Sequence, residues 1–157
     1  MDCLTKLEAF LRDNKVPFQV QHHPVAYTAQ ELAASEHIPG RLVAKSVVAF
    51  VDGRMVMLVL PGPRKVDFAK AEALFAAKEV RLAREAEFAA TFPDCDVGAM
   101  PPFGNMYGLP VYVDKSLAAD DKIVFPAGTH TDTISMRYAD FANLAQPTVV
   151  DFGHGVP

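Results

Sequence analysis

Apolar and polar positions follow two different periods along this chain, and the places where the period changes mark its elements. Leu4, Leu7, Phe10 and Leu11 recur at helical spacing, with Asp2 or Thr5 placed to cap the start. An amphipathic helix is therefore predicted, ending near Asn14. Phe18 to His22 alternates as a half-buried strand does. Thr28 is followed three residues later by Glu31, a capping-box pattern that predicts a second helix stopping before Pro39-Gly40. Residues 42–51 and 54–60 are apolar runs on either side of Asp52-Gly53, a dipeptide suited to a two-residue hairpin. Pro61-Gly62-Pro63 ends the second run.

Beyond the hairpin, residues 66–75 read as a helix with Asp67 near its start, residues 80–82 as a short strand and residues 85–90 as a short helix. From Phe92 to Pro110 the period is lost among prolines and glycines, so a long ordered loop is expected, and such loops are disproportionately functional. Residues 111–113, 123–125 and 133–136 read as strands, with a turn at 127–131 between the last two. Tyr138 to Leu144 reads as a helix and residues 148–152 as a last short strand. Strands mixed with helices, including a hairpin, predict an α/β fold. The expectation is a mixed sheet or partly closed barrel with helices outside, not a doubly wound parallel sheet.

Composition sets bounds on this picture. A chain of 157 residues predicts one domain, spanning 1–157, with a substantial core. The net charge of -4 gives no overall attraction to nucleic acid, so any RNA contact has to rest on a local basic patch or on a small part of the RNA. The absence of a recognisable recognition helix also disfavours DNA. Cys3 and Cys95 lack C-x-x-C spacing, which predicts no disulfide framework and fits a reducing cytoplasm. Asp94 and Asp96 flank Cys95 and would raise its thiol pKa, so Cys95 reads as structural rather than nucleophilic. Neither a signal peptide nor a membrane span is predicted.

Against that background Lys45 stands out, because it lies inside the apolar run from Leu42 to Val51. A lysine there must lose hydration, find a partner or point into a wet pocket. The plain alternative is a stem that carries the ammonium out to solvent from one face of the strand. Phosphate-binding, nucleotide-binding and serine-hydrolase motifs are missing. His22 and His23 are adjacent on a strand and point to opposite faces, so no metal or other cofactor is expected. Two further features qualify as candidate chemistry: the loop Asp96 to Gly104, and the turn Gly128-Thr129-His130-Thr131. In both, glycines permit close backbone approach, although each also serves as an ordinary turn.

These features occur together in the order of a known family. The chain resembles the YbaK/ProX family of aminoacyl-tRNA deacylases, related to the editing domain of bacterial prolyl-tRNA synthetases. The resemblance rests on His23-Pro24-Val25-Ala26-Tyr27-Thr28, Val43-Ala44-Lys45-Ser46-Val47-Val48, Leu58 to Gly62, Val66-Asp67, Val97 to Gly104, Pro110 to Asp114 and Phe125 to Thr129. It covers nearly the whole chain and implies hydrolysis of the ester joining a wrong amino acid to a tRNA. By that resemblance Lys45 and Gly98 are the catalytic positions. Tyr27, Ser46, Ala99, Met100, Pro101, Phe103, Gly128 and Thr129 are implied as substrate-binding positions.

Ser46 stands where a threonine or asparagine is common in the family, and Met100-Pro101 where a small or hydroxyl residue often precedes the proline. Both departures bear on which amino acid is taken. An activated ester needs placement and oxyanion stabilisation more than a strong nucleophile, so Lys45 is expected to act as a cation rather than a base. Met100, Pro101 and Phe103 are the candidates for setting the size of the pocket, with ordinary core as the alternative. Arg41, Lys45, Arg54, Arg64 and Lys65 fall where they could form a patch for the acceptor end, the alternative being an ordinary solvated charged surface. The rival expectation is a non-catalytic module that binds a small molecule, a tRNA end or a synthetase.

Overall fold

The computed structural model describes residues 2–155. Its first helix, α1 (Cys3–Asp13), is capped by the Asp2 carboxylate, which accepts from the Thr5 N–H at 2.7 Å. Strand β1 (Phe18–His22) follows, then α2 (Ala29–Glu36). Thr28 Oγ1 accepts from the Glu31 N–H at 3.0 Å, as the sequence predicts. The Glu31 carboxylate reaches back one residue further than expected, to the N–H of Tyr27.

Strands β2 (Ala44–Val51) and β3 (Arg54–Pro61) form the hairpin. Asp52 (φ 47°) and Gly53 (φ 85°) are both left-handed, the geometry of a turn whose twist matches its strands. The Asp52 carboxylate also accepts from the N–H groups of Lys78 and Glu79, which ties the turn to the chain ahead of a later strand.

A short β4 (Lys65–Val66) leads into α3 (Phe68–Phe75), capped by Asp67. Strand β5 (Val80–Leu82) and helix α4 (Glu85–Phe88) come next. The loop expected between Phe92 and Pro110 is present, with one tight helical turn at Gly104–Tyr107. The chain closes with β6 (Val111–Asp114), α5 (Lys115–Ala118), β7 (Lys122–Pro126), β8 (Asp132–Arg137), α6 (Tyr138–Ala145), β9 (Thr148–Val150) and β10 (Gly153–His154).

Five strands form a mixed sheet in the order β5-β2-β3-β6-β9, with β3-β6 and β6-β9 parallel. Strands β1-β8-β7 form an antiparallel sheet, and β10-β4 a short ribbon. The mixed α/β class is as predicted. The barrel alternative is corrected: the five-stranded sheet keeps two edges, and one parallel bridge, Val43 to Val124, joins the start of β2 to β7.

The main core lies between the two larger sheets and includes Leu7, Leu11, Met57, Val59, Phe103, Phe125 and Phe141. The opposite face of β3 packs Leu58 and Leu60 against Ala71 and Phe152. Residues 56–61 are therefore buried on both faces, which accounts for a continuous apolar run rather than an alternating one. A small third cluster, Ala26, Leu32, Ala33, Val43 and Val124, sits beneath α2 at the junction of the sheets.

The cysteine expectation is also corrected. Cys3 and Cys95 are bonded to each other, with Cα atoms 5.0 Å apart and a sequence separation of 92. The bond fastens the start of α1 to the loop just ahead of Gly98, and a backbone bond from Cys3 N–H to the Asp94 carbonyl runs beside it. At that separation only tertiary packing reveals the pairing. Cys95 is structural, as its acidic neighbours suggested.

Candidate functional site

At the junction of the two sheets, the turn before α2, the start of β2 and the loop 97–100 surround a cavity of about 370 Å³. This lies at the lower end of the range for small-molecule sites. Tyr27, Leu32, Val43, Lys45, Ser46, Gly62, Gly98, Met100, Pro126 and His130 are among its lining residues.

Lys45 is half-buried, and its ammonium donates to the Gly62 carbonyl at 2.9 Å. That bond uses one of three N–H groups. Burial pushes its pKa below the ordinary 10.5, and the charge of Lys65 adds to the effect. Ser46, the next residue on β2, projects to the other face, between Ala44 and Val48 of the main core side. Its hydroxyl is buried without a hydrogen-bond partner among the described residues. An unpaired buried hydroxyl is costly and is suited to a ligand that completes it.

Gly98 has φ +85°, a conformation that side chains rarely adopt. Among the described residues its N–H meets only the Met100 thioether at 3.3 Å, a weak acceptor. The loop is held from behind. Asp96 N–H donates to the Gly128 carbonyl at 2.8 Å, and Gly128 N–H donates to the Ala99 carbonyl at 2.9 Å. His130 Nε2 donates to the Val97 carbonyl at 3.0 Å, and its ring packs on Tyr27 with centroids 4.8 Å apart. Tyr27 itself is 69% exposed and stands at the cavity mouth.

Of the residues singled out from sequence, Lys45, Gly98, Tyr27, Ser46 and Met100 line this cavity. Ala99, Pro101, Phe103, Gly128 and Thr129 do not. Ala99 is fully buried and links the two turns through its carbonyl, while its N–H donates to Asp96. The Phe103 ring is enclosed by Phe10, Phe125 and Phe141. Gly128 makes room for α1, because a Cβ there would lie 2.5 Å from the Cys3 Cβ. Thr129 closes its own turn by donating to Asp132 at 2.6 Å. Burial acts to raise the pKa of Asp132, but the hydrogen bonds from Thr129 and His22 outweigh it and hold the carboxyl below its usual value.

Sequence reasoning placed His130 in a turn of interest without assigning it to the site, and it missed Leu32, Val43 and Pro126 as walls. Val43 and Pro126 lie inside segments already quoted for the resemblance, and Leu32 lies one helical turn past Thr28.

The basic patch expected from Arg41, Lys45, Arg54, Arg64 and Lys65 does not form as one surface. Arg54 is at the far end of the hairpin, about 20 Å from Lys45 by the rise of a strand. Arg41 faces Asp120 at 3.7 Å. Arg64 donates to the Gly153 and Gly155 carbonyls and lies 3.3 Å from the buried Asp114. Lys45 and Lys65 are left beside one another.

Comparisons with known proteins agree on one family. The model of the aminoacyl-tRNA editing domain matches residues 23–144. A proline–tRNA ligase of Solidesulfovibrio magneticus is 37% identical over 103 residues, covering 64% of this chain and 17% of the ligase. The chain thus spans under a fifth of that relative's length. The multifunctional Ser/Thr-tRNA deacylase ProXp-y of Escherichia coli K12 is 26% identical over 152 residues, covering 94% of this chain and 90% of the deacylase. A crystal structure of a candidate trans-editing enzyme for prolyl tRNA synthetase superposes with a TM-score of 0.85 at 21% identity, covering 99% of each chain. That likeness shows that the fold is shared.

Proposed function

The chain belongs to the aminoacyl-tRNA editing domain family, and on that premise we propose that it is a trans-editing hydrolase. It cleaves the ester between a mismatched amino acid and the 3′ end of a tRNA, releasing free amino acid and tRNA. The observation that carries this reading is one cavity holding three groups: the Lys45 ammonium, the unpartnered Ser46 hydroxyl and the left-handed Gly98 turn. The names of the editing relatives support it.

An aminoacyl ester is already activated, so the protein's task is placement and charge stabilisation. The attacking oxygen, from water or the neighbouring ribose hydroxyl, adds to the carbonyl carbon. The carbonyl oxygen takes up negative charge. The bond to the ribose oxygen then breaks, and that oxygen receives the proton lost by the attacking group. When the ribose hydroxyl attacks, the ester moves to the adjacent oxygen, and water must still complete hydrolysis. Lys45 serves as a cation for the phosphate at the aminoacylated end, with two N–H groups beyond the one given to Gly62. The Gly98 N–H, opposed only by a thioether, is the donor for the oxyanion. Ser46 takes a polar group of the amino acid, and Tyr27 and His130 border the entrance.

Leu32, Val43, Met100 and Pro126 bound the space for the amino-acid side chain, which favours a small residue and excludes a larger, correctly charged one. Pro101 and Phe103 act on that wall from behind, by fixing the loop. The reaction is metal-independent in this reading, so a chelator leaves the rate unchanged. The place of action is the cytoplasm, where tRNAs are charged. The proline–tRNA ligase relatives suggest a synthetase as a partner that hands over the substrate.

The deciding experiment incubates the purified protein with a panel of mischarged tRNAs and measures free amino acid. Release above the spontaneous rate for at least one small amino acid is expected. No release from any of them would leave the non-catalytic binding module in place of the enzyme.

A further inference from the structure

Lys45 borders more than the cavity just described. On the other side of the hairpin, a groove of about 440 Å³ is lined by Lys45, Val47, Lys65, Val66, Phe68, Leu82 and His154. Three elements converge to make it. Lys45 and Val47 share one face of β2. The β4–β10 ribbon sets Lys65 opposite His154, and α3 begins at Phe68. Phe68 and Leu82 are 37% and 50% exposed, so an aromatic ring and a branched aliphatic side chain lie open to solvent beside two ammonium groups. Among the described residues no carboxylate lines this groove, the neighbouring hollow between Lys45, Lys65 and α2, or the main cavity. Neither Lys45 nor Lys65 enters an ion pair among the described residues, and burial, with the charge of Lys65 added, depresses the pKa of Lys45. In a chain of net charge -4, two adjacent cations without counter-charge mark where an anion is to be received.

Resting on the deacylase reading, we propose that this groove is a second subsite that takes the nucleotide preceding the aminoacylated one, with its phosphate on Lys65 and its base against Phe68 and Leu82. The occupant follows from continuity and charge. Lys45 is common to the cavity and the groove, and the hollow lined by both Lys45 and Lys65 connects them, so a strand whose last residue enters the cavity passes the two lysines and reaches the groove beyond. Aromatic and apolar surface beside cations is the chemistry that holds single-stranded nucleotides, since every base has a face to stack and every link a phosphate. Binding of this kind is tolerant of sequence and sensitive to salt.

The test uses Lys65→Glu and Phe68→Ala in the full chain, with folding confirmed by circular dichroism and thermal melting. The first measurement is the affinity for an uncharged single-stranded RNA ending in CCA, by fluorescence anisotropy across a salt series. Each variant is expected to weaken binding about tenfold, and Lys65→Glu to reduce the salt slope by about one. The second is kcat/KM for a mischarged minihelix divided by that for the same amino acid esterified to adenosine alone. That ratio is expected to fall about tenfold in either variant, because only the longer substrate reaches the groove. An RNA affinity and a ratio both unmoved would give the groove to some other partner, such as a protein, and overturn the subsite while leaving the deacylase reading intact. A wild-type protein that deacylates nothing yet binds the RNA through Lys65 and Phe68 would remove the deacylase reading and keep the subsite.

Discussion

The Lys45 ammonium donates to the Gly62 carbonyl at 2.9 Å, across the open end of the hairpin formed by β2 and β3. This bond holds the lysine at the boundary between cavity and groove, where its charge meets that of Lys65. Replacing Lys45 with Ala is expected to lower kcat/KM on a mischarged tRNA by about 10- to 100-fold, the weight of a hydrogen-bonded charge, with the fold retained by circular dichroism. Unchanged activity would remove Lys45 from the mechanism.

The lowered pKa of Lys45 sets the sign of a pH effect. Burial and Lys65 penalise its charged form, so it loses its proton at a pH below 10.5. Affinity for uncharged tRNA is expected to fall as pH rises through that lowered value, and Lys45→Arg, which stays charged, should lose this limb of the profile. Stability runs the other way. The unfolded chain holds this proton more tightly, so Lys45 adds stability as pH rises from its lowered value to 10.5. Binding titrations and urea melts over the same pH series separate the two.

Met100 is almost wholly buried and lines the cavity that Pro101 and Phe103 do not reach. Met100→Ala is expected to admit larger amino acids, raising their kcat/KM relative to a small one by about tenfold, roughly what one or two methylenes decide in an apolar pocket. Phe103→Ala should instead lower stability by about 3–5 kcal/mol, since its ring fills the core. Aminoacyl-tRNA panels and denaturant melts check the two halves.

The Cys3–Cys95 bond closes a long loop of chain. Reducing it, or replacing Cys95 with Ser, is expected to cost about 2–4 kcal/mol of stability in urea unfolding. The double variant Cys3→Ser/Cys95→Ser should lose a similar amount and no longer respond to a dithiol reductant. A wild-type melt indifferent to reductant would contradict the pairing.

Asp114 is fully buried. It accepts from the Phe152 N–H at 3.1 Å and the Gly153 N–H at 2.7 Å, from Ser116, and lies 3.3 Å from Arg64 Nε. It anchors β10 against β4 and so the floor of the groove that carries Lys65 and His154. Removing one partner of such a buried pair leaves the other charge uncompensated, so Asp114→Ala is expected to destabilise by about 3–5 kcal/mol. Urea unfolding of Asp114→Ala and Asp114→Asn measures it, with the smaller loss expected for Asn.

Where the determining contacts are local, the sequence was readable. Asp2, Thr28 and Asp67 cap helices within three residues of themselves, and Asp52-Gly53 adopts the backbone its turn requires. The alternation of Phe18 to His22 and the double-sided burial of β3 follow from strand period and composition. Lys45, Ser46 and Gly98 could be marked as candidates because a charge in an apolar strand and a glycine in a long loop are local anomalies, and because their order resembles a family. The short helix α5 and the ribbon strands β4 and β10 went unread, Val66 having been read as the start of a helix, since four and two residues are too few to establish a period.

Most helices, strands and turns were legible from residue order alone, because hydrogen bonding and side-chain periodicity act between near neighbours. Which loop residues face the cavity and which fill the core was set by the packing of distant segments. An irregular loop has no period, so nothing in the order of residues 98–103 separates Met100 from Phe103. The same holds for Cys3 with Cys95, for the parallel pairing of β3 with β6, and for the dispersal of five basic residues that sequence had grouped. Each depends on distances between segments far apart in the chain, and those distances exist only once the sheets have packed.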